Sequence, residues 1–462
     1  MSYLTLRRLR AGFWCLALLL SSSIFAQVTV QSKTLGNGLT IYVKEDHRAP
    51  VLISEVWYKV GSSYESMGNT GISHLLEHMM FDGTPTYGPG VFSRSIAENG
   101  GQENAFTYDD FTAYYQELAA DKLPMAFQLE SDRMRHLSLT PEEFNKEIKV
   151  VREERRWRVD NNPLAKMGEQ FFSQAYVALP YHNPTVGWPA DLYNITVEDL
   201  RAWYQRWYAP NNAFIVVVGD VKADDVFALA EKYFGALKPM TLPSAKPQLE
   251  LSNPGQRRLN LKIPAEVPVL MMGYSAPTIM SDKNSIDPYA LDVLGSILAG
   301  SDSARLQQNL VRHQALASSI DINYELYKRF SSVWVIEAVP QKNVDINTLE
   351  KAIRSQIQTL QQKPVSSEEL EKVKKNAIAN AIYQQDDISN LAQAIGTLTA
   401  TGSDWSELNH YVTQIQKVSA ADVQRVAQQY LVGNQEIVGI LTPLPSKANT
   451  VETPNPGESY VH

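Results

Sequence analysis

Two histidines four residues apart, His74 and His78, bracket an acid, Glu77, in the stretch GISHLLEHMMFDGT, which is otherwise largely apolar. Leu and Met bury at no electrostatic cost, but an imidazole pair and a carboxylate each need a compensating partner once they leave water. Residues four apart share one face of a helix, so both imidazoles can converge on one tetrahedral metal ion. Glu77, three residues after His74, lies beside that face, poorly placed as a third ligand but within reach of a water. Zinc lowers the pKa of a water toward neutrality, and an adjacent carboxylate can take its proton as the water attacks a carbonyl.

The order His-x-x-Glu-His is the inverzincin signature, and it requires a third ligand from another element. TPEEFNKEIKVVREERRWRVDNNP reads as a helix, with Thr140 as cap, Pro141 at the first helical position and Glu143 completing a capping box. Glu147 and Glu154 are seven apart, two turns along one face, whereas Glu153 points about 100° away from Glu154. Glu154 is therefore the expected third ligand, with Glu147 one layer behind, orienting a ligand or the water. The bland alternative is that these acids solvate a helix. The mixed-sign cluster REERRWR, Arg152 to Arg158, reads as a solvated face.

The elements that must hold these residues are written twice. ITVEDLRAWYQRWYAPNNAFIVVVGDV, from Ile195, has a helical pattern followed by an apolar strand, and VSAADVQRVAQQYLVGNQEIVGILTP, from Val418, repeats it. Thr196 falls on Ser419, Asp199 on Asp422, Trp207 on Tyr430 and Ile215 on Val438, each copy opening with a hydroxyl cap and an acid in the first turn. APVLISEVWYKVGS from Ala49 is echoed by VPVLMMGYSAP from Val267. The second-half helix DPYALDVLGSILAGS then sets Leu291, Leu294 and Gly295 approximately where the first half has His74, Glu77 and His78, so the polar triad is an addition to one half that packing alone does not require. The expected fold is α+β, two duplicated domains each with a mainly antiparallel sheet packed with helices.

Composition fits a globular protein, 44% apolar and 20% charged over 462 residues, too long for one ordinary core. Arg7, Arg8 and Arg10 precede a short apolar run, Phe13 to Leu20, and small residues up to Ala26, the pattern of a secretory signal peptide. A retained anchor is the alternative. The expected divisions are a leader at 1–26, a zinc-binding domain at 27–237, a Pro-rich linker at 238–258, a pseudo-repeat domain at 259–445 and a disordered tail at 446–462. Cys15, the single cysteine, lies in the leader, so the mature chain holds none. With 42 basic and 50 acidic residues the chain carries −8, and losing the three leader arginines takes it to −11, which argues against nucleic acid and anionic lipid as partners. Export to the periplasm is expected.

On the His74-Glu77-His78 helix, the second helix with Glu147 and Glu154, and the duplicated plan, the chain resembles the pitrilysin, insulin-degrading enzyme and mitochondrial processing peptidase family, in its shorter bacterial two-domain branch. The resemblance runs from about Val28 to Pro443. It implies one Zn2+ per chain on His74, His78 and Glu154, with Glu77 as catalytic base and Glu147 as supporting acid. It also implies that ENGGQENAFTYDDFTAYY forms an edge strand to which a peptide adds as a further strand, with Asn104 and Ala105 against the scissile region. Active members carry an Arg and a Tyr seven apart in the second domain, which hold the substrate carbonyl. Val311 and Ser318 stand there instead, with Tyr324 and Arg329 as local alternatives. The expectation is a zinc endopeptidase acting on unfolded peptides, the metal-bearing subunit of a heterodimer that closes into a clam-like chamber with a homologous partner supplying the Arg-Tyr pair. The alternative is a non-catalytic peptide-binding or assembly subunit of the same fold, which would hold no metal.

Overall fold

The computed structural model describes residues 28–243, 248–251 and 255–445; the expected leader, the expected tail and short parts of the linker lie outside them. Strands β1 (Gln31–Thr34), β2 (Thr40–Glu45), β3 (Val51–Tyr58), β4 (Gln102–Thr107), β5 (Thr112–Ala119) and β6 (Ala213–Gly219) form one sheet in the order β1-β2-β6-β3-β5-β4. Strands β7 (Arg257–Pro264), β8 (Val269–Ala276), β9 (Ala317–Asn323), β10 (Ser332–Pro340) and β11 (Ile437–Leu444) form a second, β7-β11-β8-β10-β9. Position for position, β2-β6-β3-β5-β4 recurs in the second sheet. Even the one parallel pairing, β2 with β6, returns as β7 with β11, all other described pairings being antiparallel.

The first half supplies helices α1 (Ile72–Met79), α2 (Val91–Glu98), α3 (Leu123–His136), α4 (Pro141–Arg155), α5 (Pro163–Ala175), α6 (Pro189–Asn194), α7 (Val197–Trp207) and α8 (Ala223–Phe234). The second supplies α9 (Asp287–Ala299), α10 (Ile346–Gln362), α11 (Ser367–Gln384), α12 (Ile388–Thr401), α13 (Glu407–Lys417) and α14 (Ala420–Tyr430). The duplicated caps form as matched pairs. Thr196 and Asp199 close a capping box on α7, and Ser419 and Asp422 close the same box on α14. On α4 the box is half made: Thr140 accepts from the Glu143 N–H, but the Glu143 carboxylate turns to Lys146 at 3.8 Å.

The two halves exchange helices. The apolar run of β6 faces two cores, Ile215 and Val217 toward the helices of its own half, Phe214, Val216 and Val218 toward Leu391, Ile395 and Leu398 of α12. Reciprocally, Met167 and Phe171 of α5 pack on Met271, Val335 and Ile437 of the second sheet. Burial on both faces explains why β6 is continuously apolar rather than alternating. Glycine permits the close approach: a Cβ on Gly396 of α12 would stand 2.1 Å from the Trp57 ring, and one on Gly439 of β11 would stand 2.2 Å from the Met167 methyl. Gly396→Ala gains about 1 kcal/mol of helix propensity, yet the clash is with a buried, fixed indole. Overpacking of this kind costs about 1–3 kcal/mol. Urea denaturation should therefore show a net loss of stability, and an unchanged or raised midpoint would refute the close packing.

The structure also shifts one helix alignment. The core positions of α1 are Ile72, Leu75, Leu76 and Met79; α9 is buried more widely, with Tyr289, Leu291 and Leu298 also in its core, but Ala290, Val293, Leu294 and Ile297 repeat the α1 spacing and leave Asp292 and Ser296 half-buried. Superposing the two buried stripes sets Asp292 on His74, Gly295 on Glu77 and Ser296 on His78, one residue later than the sequence comparison placed them. The longer α9 starts earlier relative to its preceding strand, which misleads an alignment made without burial.

Candidate metal centre

Helix α1 is eight residues long, too short to hold itself in water, so its position depends on what grips its ends. Gly71 at its N-cap has a positive φ of 88° and lies backbone to backbone with Gly187, where a side chain on either would collide with the other. The buried Glu65 carboxylate accepts from the Gly71 N–H at 2.7 Å and the Ser73 N–H at 2.8 Å, supplying the cap that glycine lacks. Burial raises its pKa to about 8, opposed by those two donors. Asp191 holds the preceding turn through Thr70 Oγ1 at 2.6 Å and the Gly68 and Thr70 amides.

Helix α4 packs across α1 through Phe144, Ile148 and Val151. Arg155, buried, ties its end to Glu169 at 2.8 Å and to the Gly187 carbonyl at 2.7 Å, while Arg152 holds the Leu192 carbonyl at 2.7 Å. The REERRWR cluster is thus divided: Glu153, Arg156, Trp157 and Arg158 lie on the expected solvated face, while Arg152 and Arg155 fasten the helix. Arg152 and Arg155 have acceptors brought from far along the chain, which a local charge pattern does not reveal. A π-helical turn, Arg156–Asp160, follows directly.

The crossing brings His74, His78 and Glu154 together, with ligand atoms all within 4.8 Å of one another. Glu154 Oε2 lies 3.6 Å from His74 Nε2 and 3.1 Å from His78 Nε2. Zinc bonds of about 2.0–2.1 Å in a tetrahedron set ligand atoms about 3.3 Å apart, so the spacing fits. Glu154 Oε2 is buried with no hydrogen-bond partner, as is His74 Nδ1. A carboxylate oxygen buried between two imidazoles needs a cation beside it, a proton on His78 or a metal ion in its place, and the donor set suits zinc. Glu154 Oε1 is held by Arg158 at 2.8 Å. Glu147, buried, approaches the far side of His78 at 3.6 Å from Nδ1, the place of an orienting acid. Glu153 is exposed and pairs with Arg156.

Glu77 accepts a hydrogen bond from Thr107 Oγ1 at 2.5 Å, so the base candidate is aimed by the last residue of β4. Burial raises its pKa, and the Thr107 hydroxyl pulls the other way. Strand β4 is an edge, paired among the described residues with β5 alone. Asn104 on it is exposed, and its side chain takes the Ala105 N–H at 2.8 Å; Ala105 itself packs toward the helical core. The expected oxyanion donors are missing in structure as in sequence: Val311 packs on the second core and Ser318 donates to the Val339 carbonyl at 3.2 Å. Tyr324 is engaged with the Pro277 carbonyl, and Arg329 with Asp110 at 3.0 Å and Ser63 at 2.9 Å, so neither local alternative is free.

Two family models match the chain, the insulinase model (peptidase family M16) over residues 40–187 and the M16 inactive-domain model over 194–377. The zinc protease PqqE of Helicobacter pylori is 32% identical over 451 residues, 96% of this chain and all of that one. The chain belongs to peptidase family M16. The uncharacterized zinc protease YmxG of Bacillus subtilis is 24% identical over 402 residues, covering 87% of this chain and 95% of its own. A crystal structure of a protease from Helicobacter pylori aligns with a TM-score of 0.85 at 31% identity, over 90% of this chain and all of that one. The periplasmic protease PqqL of Escherichia coli shares the fold, with a TM-score of 0.76 at 18% identity, over 89% of this chain but 47% of its own.

The sequence reading missed Thr107, Arg158, Glu65 and Asp191. Arg158 was legible as an i,i+4 partner of Glu154; Glu65 and Asp191 carry no local signal.

Charge states follow from the crowding. Burial and the neighbouring His78 push His74 down to about 4. Burial also works against a charged His78, yet Glu147 and Glu154 outweigh it and raise it to about 9. At pH 7 the metal-free site therefore holds a proton on His78 that a metal must displace. Zinc uptake at pH 7 should release about one proton per site, and apparent affinity should climb with pH until about 9. Calorimetry in two buffers of different ionisation enthalpy reads this directly; identical heats would contradict it.

Proposed function

We propose that this family M16 chain is a zinc endopeptidase that hydrolyses unfolded peptides bound as an added strand. The convergence of His74, His78 and Glu154 around an orphaned oxygen, with Glu77 beside them, is the observation that carries the reading. His74, His78 and Glu154 would hold the ion, which when bound supplies Lewis acidity toward a water and the scissile carbonyl. Glu77, aimed by Thr107, takes the proton of the attacking water and passes it to the leaving amine. Glu147 keeps the His78 ring oriented. The open edge of β4 offers main-chain donors and acceptors to an extended substrate, which selects for unfolded conformation more than for sequence. Asn104 and Ala105 would flank the scissile bond, the Asn104 side chain yielding the Ala105 amide as the peptide pairs.

The reading extends to a homologous partner subunit, because the second half lacks a free Arg-Tyr pair to hold an oxyanion, and the two would close into a clam-like chamber. The leader pattern supports export to the periplasm, and among the described residues no helix is long and apolar enough to cross a membrane. The test is metal content with activity. Purified, dialysed chain should retain one zinc per molecule, cleave unfolded casein when joined by its partner, and lose cleavage on chelation with recovery on adding zinc. A chain that dialyses free of metal would instead be the non-catalytic subunit.

A further inference from the structure

The second half keeps a cleft of its own where the first has its metal centre. Helix α11 opens as α4 does: Ser366 accepts from the Glu369 N–H as Thr140 does from Glu143. Aligning the caps sets Leu370 on Phe144, a buried core position in both, and carries Asn380 onto Glu154 and Gln384 onto Arg158. With the α9 alignment above, Asp292, Ser296 and Asn380 stand where His74, His78 and Glu154 stand in the first half. These are not merely aligned: Asp292, Ser296, Asn380 and Gln384 all line one cavity of about 610 Å³, which none of the metal-centre residues lines. That volume is in the range of ligand sites, enough for several residues of a peptide.

The chemistry of the wall selects the ligand. Four carboxylates line it, and three have cations: Lys328 pairs with Asp109 at 2.9 Å and Glu325 at 2.7 Å, and Arg329 pairs with Asp110 at 3.0 Å. Asp292 is the exception. Half-buried on α9, it receives one hydrogen bond, from the Tyr411 hydroxyl to Oδ2 at 2.6 Å, and among the described residues it has no cationic partner. Burial raises its pKa, as expected of a carboxylate short of compensation. Tyr324, Tyr327 and Tyr411 supply aromatic surface around it, suited to a cation's weakly hydrated stem and charge. The hydroxyl and amides of Ser296, Asn380 and Gln384 suit peptide groups and are poor replacements for zinc ligands.

We propose that this cavity is a second peptide site, a descendant of the duplicated cleft, in which Asp292 receives the guanidinium or ammonium of a basic side chain. It needs no metal and stands independently of the hydrolytic reading. The full-length chain carrying Glu77→Gln, so that nothing is cut, is titrated calorimetrically with acetyl-Ala-Arg-Ala-amide and its neutral citrulline counterpart. The arginine peptide should bind at one site per chain at least tenfold more tightly than the citrulline peptide. Asp292→Asn, which keeps the Tyr411 contact, should erase that preference, and Thr397→Trp, which fills the cavity from α12, should abolish binding while thermal unfolding stays cooperative. Equal binding of the two peptides, no binding at millimolar concentration, or affinity untouched by Asp292→Asn would each overturn the proposal; in the last case the peptide sits in the metal cleft.

Discussion

Replacing Glu77 by glutamine is expected to leave zinc in place and lower kcat by about 10²–10⁴, the usual contribution of a general base. The substitution changes no candidate ligand, since His74, His78 and Glu154 supply all three, and the amide oxygen can still accept from Thr107. What is lost is basicity at a carboxylate that is both beside the ligand face and steered by Thr107 of β4. Zinc content and single-turnover cleavage of an unfolded peptide, measured on the same sample, separate the two effects. Zinc retained with wild-type cleavage would remove Glu77 from the chemistry. Zinc lost along with cleavage would make it a ligand, which the geometry does not favour.

How much of this was readable beforehand depended on whether the information was local. The His-x-x-Glu-His spacing lies within one turn and a half of helix, and the paired capping boxes at Thr196 and Ser419 are four-residue signals, so both could be read directly. The grip on α1 was not legible. Glu65 and Asp191 act on it from either side in the chain, and an acid in a loop looks the same in sequence whether it faces water or a buried amide. The exchange of α5 and α12 was hidden for a related reason. Periodicity states that a helix has an apolar face, not which sheet covers it, and only the buried Gly396 against Trp57 betrays the partner. The one-residue shift to Asp292 has the same origin: α9 is apolar around most of its circumference, and the half-buried Asp292 and Ser296 mark the open face that leaves Val293 and Leu294 to match Leu75 and Leu76.

The second large effect concerns what the chain lacks. Alone, it should cleave peptides slowly, and adding a homologous subunit that carries the Arg-Tyr pair should raise kcat by about 10²–10³. That figure is the loss on removing an oxyanion donor, about 2.7–4 kcal/mol of barrier. Val311 has no polar group and packs on the second core, Ser318 is committed to Val339, Tyr324 to Pro277 and Arg329 to Asp110, so no side chain at the expected positions is free to turn toward a developing negative charge. Rearranging Arg329 would strip the buried Asp110 of its cation, a cost of about 3–5 kcal/mol that offsets what an oxyanion contact returns. Supply from a second chain avoids that cost because the donors arrive already folded. Size-exclusion chromatography with peptide assays on each fraction distinguishes the cases: activity should follow the mixed species, an Arg-to-Ala change in that partner should remove the gain, and its reversion should restore the rate. A monomer of this chain turning over peptide as fast as the mixture would show that the carbonyl is held by a group other than those named.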